Sequence, residues 1–135
     1  REVGAIADSF ANVIRESGYT CYAAAIMPEH VHLVMRKHRD SAETITKHLQ
    51  DASRAAVLEL RTRPITHPVW GGPGWRVFLE SRADLERTIR YVEENPTKAR
   101  LPRQVWAFVR RYDGWVPSGA TVSARNRKRR TGPCQ

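Results

Sequence analysis

Tyr19-Thr20-Cys21-Tyr22-Ala23-Ala24-Ala25-Ile26, then Met27-Pro28-Glu29, then His30-Val31-His32-Leu33-Val34-Met35-Arg36, reads as two strands joined by a tight turn. Both runs are short, rich in apolar or β-branched residues and separated by a proline, the pattern of a hairpin. In an extended strand alternate side chains leave on one face, so His30 and His32 project together while Val31 and Leu33 face the other way. Two imidazoles converging from one strand form half of a divalent-metal site.

Working outward, Glu2 to Ser17 carries Val3, Ile6, Ala7, Phe10, Val13 and Ile14 at helical spacing, and Gly18 is placed to end that helix. After the hairpin, Ser41 is an N-cap for a helix running to about Leu60, burying Ile45, Leu49, Ala52, Ala56 and Leu60 or nearby positions. Residues 63–74 hold three prolines and three glycines and read as a loop. Trp75 to Leu79 reads as a short strand. Ser81 caps a third helix carrying Leu85, Ile89, Tyr91 and Val92, with Asp84 near its positive end and Pro96 marking its end or a break. Pro102 to Trp115 is an apolar, basic segment that suggests a turn of helix. The order helix, strand, strand, helix, strand, helix fits an α+β fold, a ferredoxin-like βαββαβ antiparallel sheet with helices on one face, if one strand preceded Arg1. Residues 1–115 then form one domain and 116–135 a basic, disordered tail.

Composition narrows the function classes. No apolar run approaches the roughly 20 residues that cross a bilayer, so no membrane partner is expected. The N-terminus reads as an amphipathic helix rather than a secretory signal, which points to the cytoplasm. Cys21 and Cys134 are the only cysteines and lack C-x-x-C spacing, so thiolate zinc and an oxidised compartment are both disfavoured. Lys and Arg outnumber Asp and Glu by 23 to 14, giving a net charge of +9. The run Arg125 to Arg130 supplies part of that excess and the rest is spread through the folded part, which favours a nucleic-acid partner over a merely solvated tail.

The second half of the site is sought in Arg90-Tyr91-Val92-Glu93-Glu94-Asn95-Pro96-Thr97-Lys98-Ala99. On a helix Tyr91 and Asn95 are i and i+4 and stack on one face. An amide oxygen is a hard ligand suited to Mg²⁺ or Mn²⁺, and a tyrosine oxygen can be a nucleophile. His30, His32 and Asn95 around a metal, with Tyr91 beside it, suit in-line attack on a phosphodiester.

These residues carry a family resemblance. Met27-Pro28-Glu29-His30-Val31-His32-Leu33 resembles the HUH motif of the single-tyrosine transposases, whose usual form is Met-Pro-Asn-His-Val-His-Leu. Tyr91-Val92-x-x-Asn95-Pro96-x-Lys98-Ala99 resembles their Tyr-Ile-x-x-Asn-Pro-Val-Lys-Ala-Gly segment, and Gly74 to Leu79 resembles the strand before it. The likeness spans about residues 1–102 and is nearest to the branch associated with repetitive extragenic palindromes (REP-associated tyrosine transposases). It implies Tyr91 as nucleophile, His30, His32 and Asn95 as ligands of Mg²⁺ or Mn²⁺, and cleavage and rejoining of single-stranded hairpin DNA through a 5′-phosphotyrosine. It also implies a bacterial, nucleoid-associated protein acting as a monomer or a homodimer. Glu29 departs from the pattern by standing where asparagine is usual, and Arg100 by standing where glycine ends the tyrosine helix. The family fold also opens with a strand that this chain does not carry ahead of its first helix.

Each residue also has a plainer reading. His30 and His32 could be exposed strand residues, Tyr91 a packed ring, and Asn95 a helix-end residue before Pro96. Tyr19, Tyr22 and Tyr112 are the rival tyrosines, the first two expected to pack. Arg36, Lys37, Lys47, Arg54 and Lys98 could contact DNA phosphates, with solvation as the alternative, and Trp70 in its Gly-Pro loop could stack on unpaired bases. Trp75 and Trp106 read as core, and His38, His48 and His67 as surface. The functional alternatives are a catalytically inactive or domesticated module that binds DNA hairpins, and a phosphodiesterase that hydrolyses through water.

Overall fold

The computed structural model describes residues 2–61, 69–70 and 77–117. Its elements run α1 (Glu2–Ser17), β1 (Cys21–Ile26), β2 (Val31–Met35), α2 (Ala42–Leu60) and α3 (Arg82–Lys98), an α+β arrangement. Among the described residues the sheet is the antiparallel pair β1–β2, with Ala25 opposite His32 and Ile26 opposite Val31. The turn between them closes through the Met27 amide donating to the His30 carbonyl at 2.8 Å. No described helix is long and apolar enough to cross a membrane.

β1 is buried along its whole length, so both faces of the hairpin need cover. Ala24, Ile26 and Val31, with Leu33 and Met35, pack against Phe10 and Ile14 of α1 and Ile45 and Leu49 of α2. Ala23, Ala25 and Val34 pack on the opposite side against Leu85, Ile89 and Val92 of α3. The expectation of helices on one face therefore holds for α1 and α2 and is corrected for α3. The alanines of β1 matter here, because their small side chains let α3 lie close to the strands. A β-bulge between Cys21 and Ala23 leaves Tyr22 without a strand partner. Bulges re-aim side chains, and the Tyr22 hydroxyl donates to Asp113 at 3.0 Å.

Several local expectations are met and several are adjusted. Ser41 and Ser81 cap α2 and α3, each accepting from the amide three residues on at 3.1 Å. The buried residues of α2 are Ile45, Thr46, Leu49, Ser53 and Val57, with Ser53 and Val57 standing next to the expected Ala52 and Ala56. Ser53 is tolerated there because its hydroxyl donates to the Leu49 carbonyl at 2.7 Å and accepts from the Trp70 indole N–H at 2.9 Å. Helix α3 runs through Pro96, which is buried in its last turn. Val77–Glu80 form no strand, whereas Trp75 and Arg76 lie outside the described residues, as do His67, Cys134 and the tail beyond Pro117.

Residues 101–117 form no helix. They cover the outer edge of β1, which has no strand beside it among the described residues. The Gln104 amide pairs with both backbone groups of Ile26, accepting from its N–H and donating to its C=O at 2.8 Å each. Farther along, the Arg110 amide donates to the Cys21 carbonyl at 2.8 Å. Since Ile26 is buried, Gln104→Leu orphans a donor and an acceptor together, and an expected loss of about 2 kcal/mol in urea denaturation measures this side-chain substitute for a strand.

Helices α1 and α3 end alike. Tyr19 N–H returns to the Ile14 carbonyl at 3.0 Å and Leu101 N–H to the Pro96 carbonyl at 2.8 Å, the long bond of a Schellman motif. The left-handed residue is Gly18 (φ 71) after α1 but Arg100 (φ 62) after α3. Carrying a Cβ in that conformation costs about 1–2 kcal/mol.

Candidate active site on the histidine face of the hairpin

The register that turns Val31 and Leu33 toward α1 and α2 turns His30 and His32 toward α3. Their rings lie 4.5 Å apart, centroid to centroid, at 82°. The Tyr91 ring stands edge-on to His32 with centroids 5.9 Å apart. The helical rows explain how Tyr91 arrives there. Leu85, Ile89, Val92 and Pro96 form the buried stripe of α3, and Tyr91 and Asn95 each precede a stripe residue, about 100° round the helix. Tyr91 is thus 48% exposed and Asn95 half-buried, both at the edge of the helix–sheet contact. Glu94 and Lys98 continue the same face, joined at 3.5 Å, and the Lys98 ammonium lies 6.0 Å from the Tyr91 ring centroid.

The other three tyrosines are engaged elsewhere. Tyr19 and Tyr22 are buried, and the Tyr112 hydroxyl donates to the Trp115 carbonyl at 2.7 Å. Burial first, then the hydrogen bond to Asp40, raises the Tyr19 phenol; burial and Asp113 do the same for Tyr22. His48 is exposed, as expected, and His38 half-buried, and Tyr19 ties both into one network. Its hydroxyl donates to Asp40 at 2.7 Å, which leaves the His48 Nδ1, 2.9 Å away, to donate to the phenol oxygen. His38 Nδ1 accepts from the Asp40 amide at 3.0 Å, and its ring meets Tyr19 edge-on at 4.8 Å. Residues 19, 38, 40 and 48 share no local spacing, so no motif announced them.

The residues considered for DNA contact are dispersed. Lys98 stands at Tyr91. Arg36 lies about 20 Å along β2 from His30, with its guanidinium 5.1 Å from the Trp115 ring centroid and 4.0 Å from Asp113. Lys37 is exposed beyond the strand end. Lys47 and Arg54 are on α2, both paired with Asp51, at 2.9 and 3.5 Å. Trp70 packs on the α1–α2 side with its indole N–H engaged by Ser53, on the opposite face of the hairpin from Tyr91. A shallow, open hollow of about 430 Å³ between α1 and α2, lined by Glu16, His48 and Asp51, is likewise separate from the histidine pair.

His30 and His32 by themselves offer two imidazoles and could hold a divalent cation only with further donors. Among the described residues no three His, Cys, Asp or Glu side chains converge, so a third protein donor beside His30 and His32 must be an amide or backbone oxygen. Asn95 offers one a helical turn beyond Tyr91. Burial, with His30 adding to it, lowers the His32 pKa to about 4, so the imidazole is neutral at pH 7, the form in which histidine can bind a metal. The same shift predicts a pH effect. An unfolded histidine protonates near 6.5, above the folded value, so acid favours the unfolded chain. Stability should be unaffected above pH 6.5 and fall between 6.5 and 4. Discounted for a half-exposed ring, the loss is about 1–2 kcal/mol. His32→Gln should flatten that part of the profile in denaturation at pH 7 and pH 4.5.

Comparison with protein-family models, curated proteins and solved structures finds no match to this chain.

Proposed function

We propose that this chain is a single-strand DNA endonuclease of the transposase type, cutting and rejoining hairpin-forming DNA through Tyr91. The observation that carries the reading is that the one tyrosine with an open phenol, of the four in the chain, is the one set against His32 and beside His30. A phenol on a packed helix, two imidazoles at the start of β2 and an amide one turn away are the parts phosphodiester transfer needs. A Mg²⁺ or Mn²⁺ ion held by His30, His32 and Asn95 would neutralise charge on the non-bridging oxygens of the scissile phosphate.

The chain's own residues do the rest. Helix α3 holds the Tyr91 ring edge-on to His32, and the Lys98 ammonium favours the charge that grows on the phenol oxygen. The phenol gives up its proton to solvent as its oxygen attacks phosphorus, the bond to the 3′-oxygen breaks, and that oxygen takes up a proton from solvent. The products are a 5′-phosphotyrosine and a free 3′-hydroxyl, so the ester energy is kept and rejoining needs no ATP. In this reading the fold is ferredoxin-like, βαββαβ, with further strands pairing along the outer edge of β2, where no described strand runs. The protein would act as a monomer or homodimer at the bacterial nucleoid in the cytoplasm.

The test is a labelled hairpin oligonucleotide incubated with protein and Mn²⁺, followed by denaturing electrophoresis. A protein-linked label supports the reading. Salt-sensitive binding without linkage indicates a hairpin-binding module, and cleaved product without linkage indicates hydrolysis through water.

A further inference from the structure

Two segments far apart in sequence meet at the end of the sheet opposite the histidine pair. The Arg36 amide donates to the Thr20 carbonyl at 2.9 Å on one side of the chain entering β1, and the Arg110 amide donates to the Cys21 carbonyl at 2.8 Å on the other. The backbones of Arg36 and Arg110 therefore stand about 10 Å apart, two strand spacings, with Lys37 and Arg111 next to them in sequence. Lys37, Arg110 and Arg111 are exposed, and their side chains have no hydrogen-bond or ion-pair partner among the described residues.

The turn Asp113-Gly114-Trp115 brings two guanidinium groups to the same end and fixes both. Arg36 lies over the Trp115 ring, 5.1 Å from its centroid. Arg82, from the first turn of α3, lies against Gly114. A Cβ there would sit 3.1 Å from the Arg82 Nη1, and the φ of 86° is one that glycine adopts without strain. The acids beside these arginines leave them donors to spare. Asp113 Oδ1 accepts from the Tyr22 hydroxyl and the Trp115 amide at 3.0 Å each. Its Oδ2 is 4.0 Å from Arg36, too far for a hydrogen bond. Glu86 engages the Arg82 Nε at 3.3 Å, which leaves both terminal nitrogens as donors.

A fixed guanidinium with free N–H groups matches the paired oxygens of a phosphate. The rings at this end are not offered to bases. Trp115 lies under Arg36 and packs into the core beneath α3, and Tyr112 stands edge-on to buried Tyr22 with its hydroxyl on the Trp115 carbonyl. Phosphate donors without an open ring suit paired nucleic acid, whose bases are already stacked, over an unpaired strand. We infer that this end of the sheet docks the phosphate backbone of a duplex stem, with Arg36 and Arg82 as fixed contacts and Lys37, Arg110 and Arg111 around them. The surface lies about 20 Å along β2 from His30, a span of about six base-pair steps. It deepens the reading of a hairpin substrate and rests on that reading for the partner, but not on any chemistry at Tyr91.

The experiment titrates the full chain against a fluorescent DNA hairpin, with oligothymidylate of equal length as the unpaired control, by anisotropy over a salt series. Arg36→Gln with Arg82→Gln should weaken hairpin binding about 10- to 50-fold and make the salt slope shallower by about 2, one for each phosphate contact. Lys37→Gln with Arg111→Gln should weaken it about 5- to 10-fold. Thermal unfolding of that second pair should match the parent, because neither side chain has a partner to lose among the described residues. Arg36→Lys with Arg82→Lys should keep the salt slope, and oligothymidylate affinity should change less than about threefold throughout. Hairpin affinity and slope unchanged in both glutamine pairs would overturn the proposal. Equal losses for the two DNAs would overturn it in favour of unspecific charge. Polyglutamate bound as tightly as the hairpin, and lost in the same variants, would make the partner an acidic protein instead. Adduct formed by a parent whose hairpin affinity ignores these substitutions leaves Tyr91 standing and removes this surface. Hairpin binding that responds to them, in a parent that forms no adduct, does the reverse.

Discussion

Tyr91→Phe should abolish the covalent DNA adduct, at least a 10³-fold loss, while leaving the fold intact. The substitution removes one oxygen and keeps the ring that meets His32 edge-on at 5.9 Å. Because Tyr91 is 48% exposed, the change should alter stability by no more than about 0.5 kcal/mol. The nucleophile has no substitute, since Tyr19 and Tyr22 are buried and the hydroxyls of Tyr19, Tyr22 and Tyr112 are all committed to hydrogen bonds. Loss of a group that forms the bond lowers kcat and kcat/KM together, with no change in DNA affinity. Adduct formation that persists in Tyr91→Phe would remove Tyr91 from the chemistry. Retained cleavage without adduct would make water the nucleophile. Denaturing gels with labelled DNA, run beside thermal unfolding of both proteins, separate these outcomes.

What could be read from the sequence depended on whether the cause was local. Helix α1 was legible to its last residue, because its periodicity and Gly18 are both encoded within neighbouring positions. His30 and His32 sharing a face followed from strand alternation, and Tyr91 sharing a face with Asn95 from helix period. That the two faces meet did not follow; it depends on α3 crossing over the alanines of β1, a tertiary fact. Ser53 misdirected the reading of α2, because a hydroxyl satisfied by the Leu49 carbonyl and the Trp70 indole behaves as a core residue. Pro96 signals an end or a break by local rules, yet a proline in a last turn removes only one bond and can be carried inside the helix. The covering of β1 by Gln104 and the Tyr19–Asp40–His48 network were invisible for a common reason. Both join residues far apart in the chain through side-chain hydrogen bonds, which leave no periodic trace.

Asn95 decides whether the histidine pair belongs to a metal centre, because its two readings predict opposite results. If its amide oxygen completes the donor set with His30 and His32, Asn95→Ala should weaken Mn²⁺ binding about 10- to 100-fold in calorimetry, and adduct formation should fall in step. Asn95→Asp should keep or tighten binding, since a carboxylate is the stronger hard donor. If Asn95 only ends a helix, Asn95→Ala should leave Mn²⁺ affinity unchanged and slightly stabilise α3, alanine being the better helix former. The histidines set the scale for comparison. His30→Gln with His32→Gln should remove measurable Mn²⁺ binding and adduct alike, and chelation with EDTA should reproduce that loss in the parent protein. Restoring Mn²⁺ should then revive the parent but not the double variant. Adduct formation indifferent to EDTA would sever the pair from catalysis and leave His32, its pKa lowered by burial to about 4, as a packing residue beneath Tyr91.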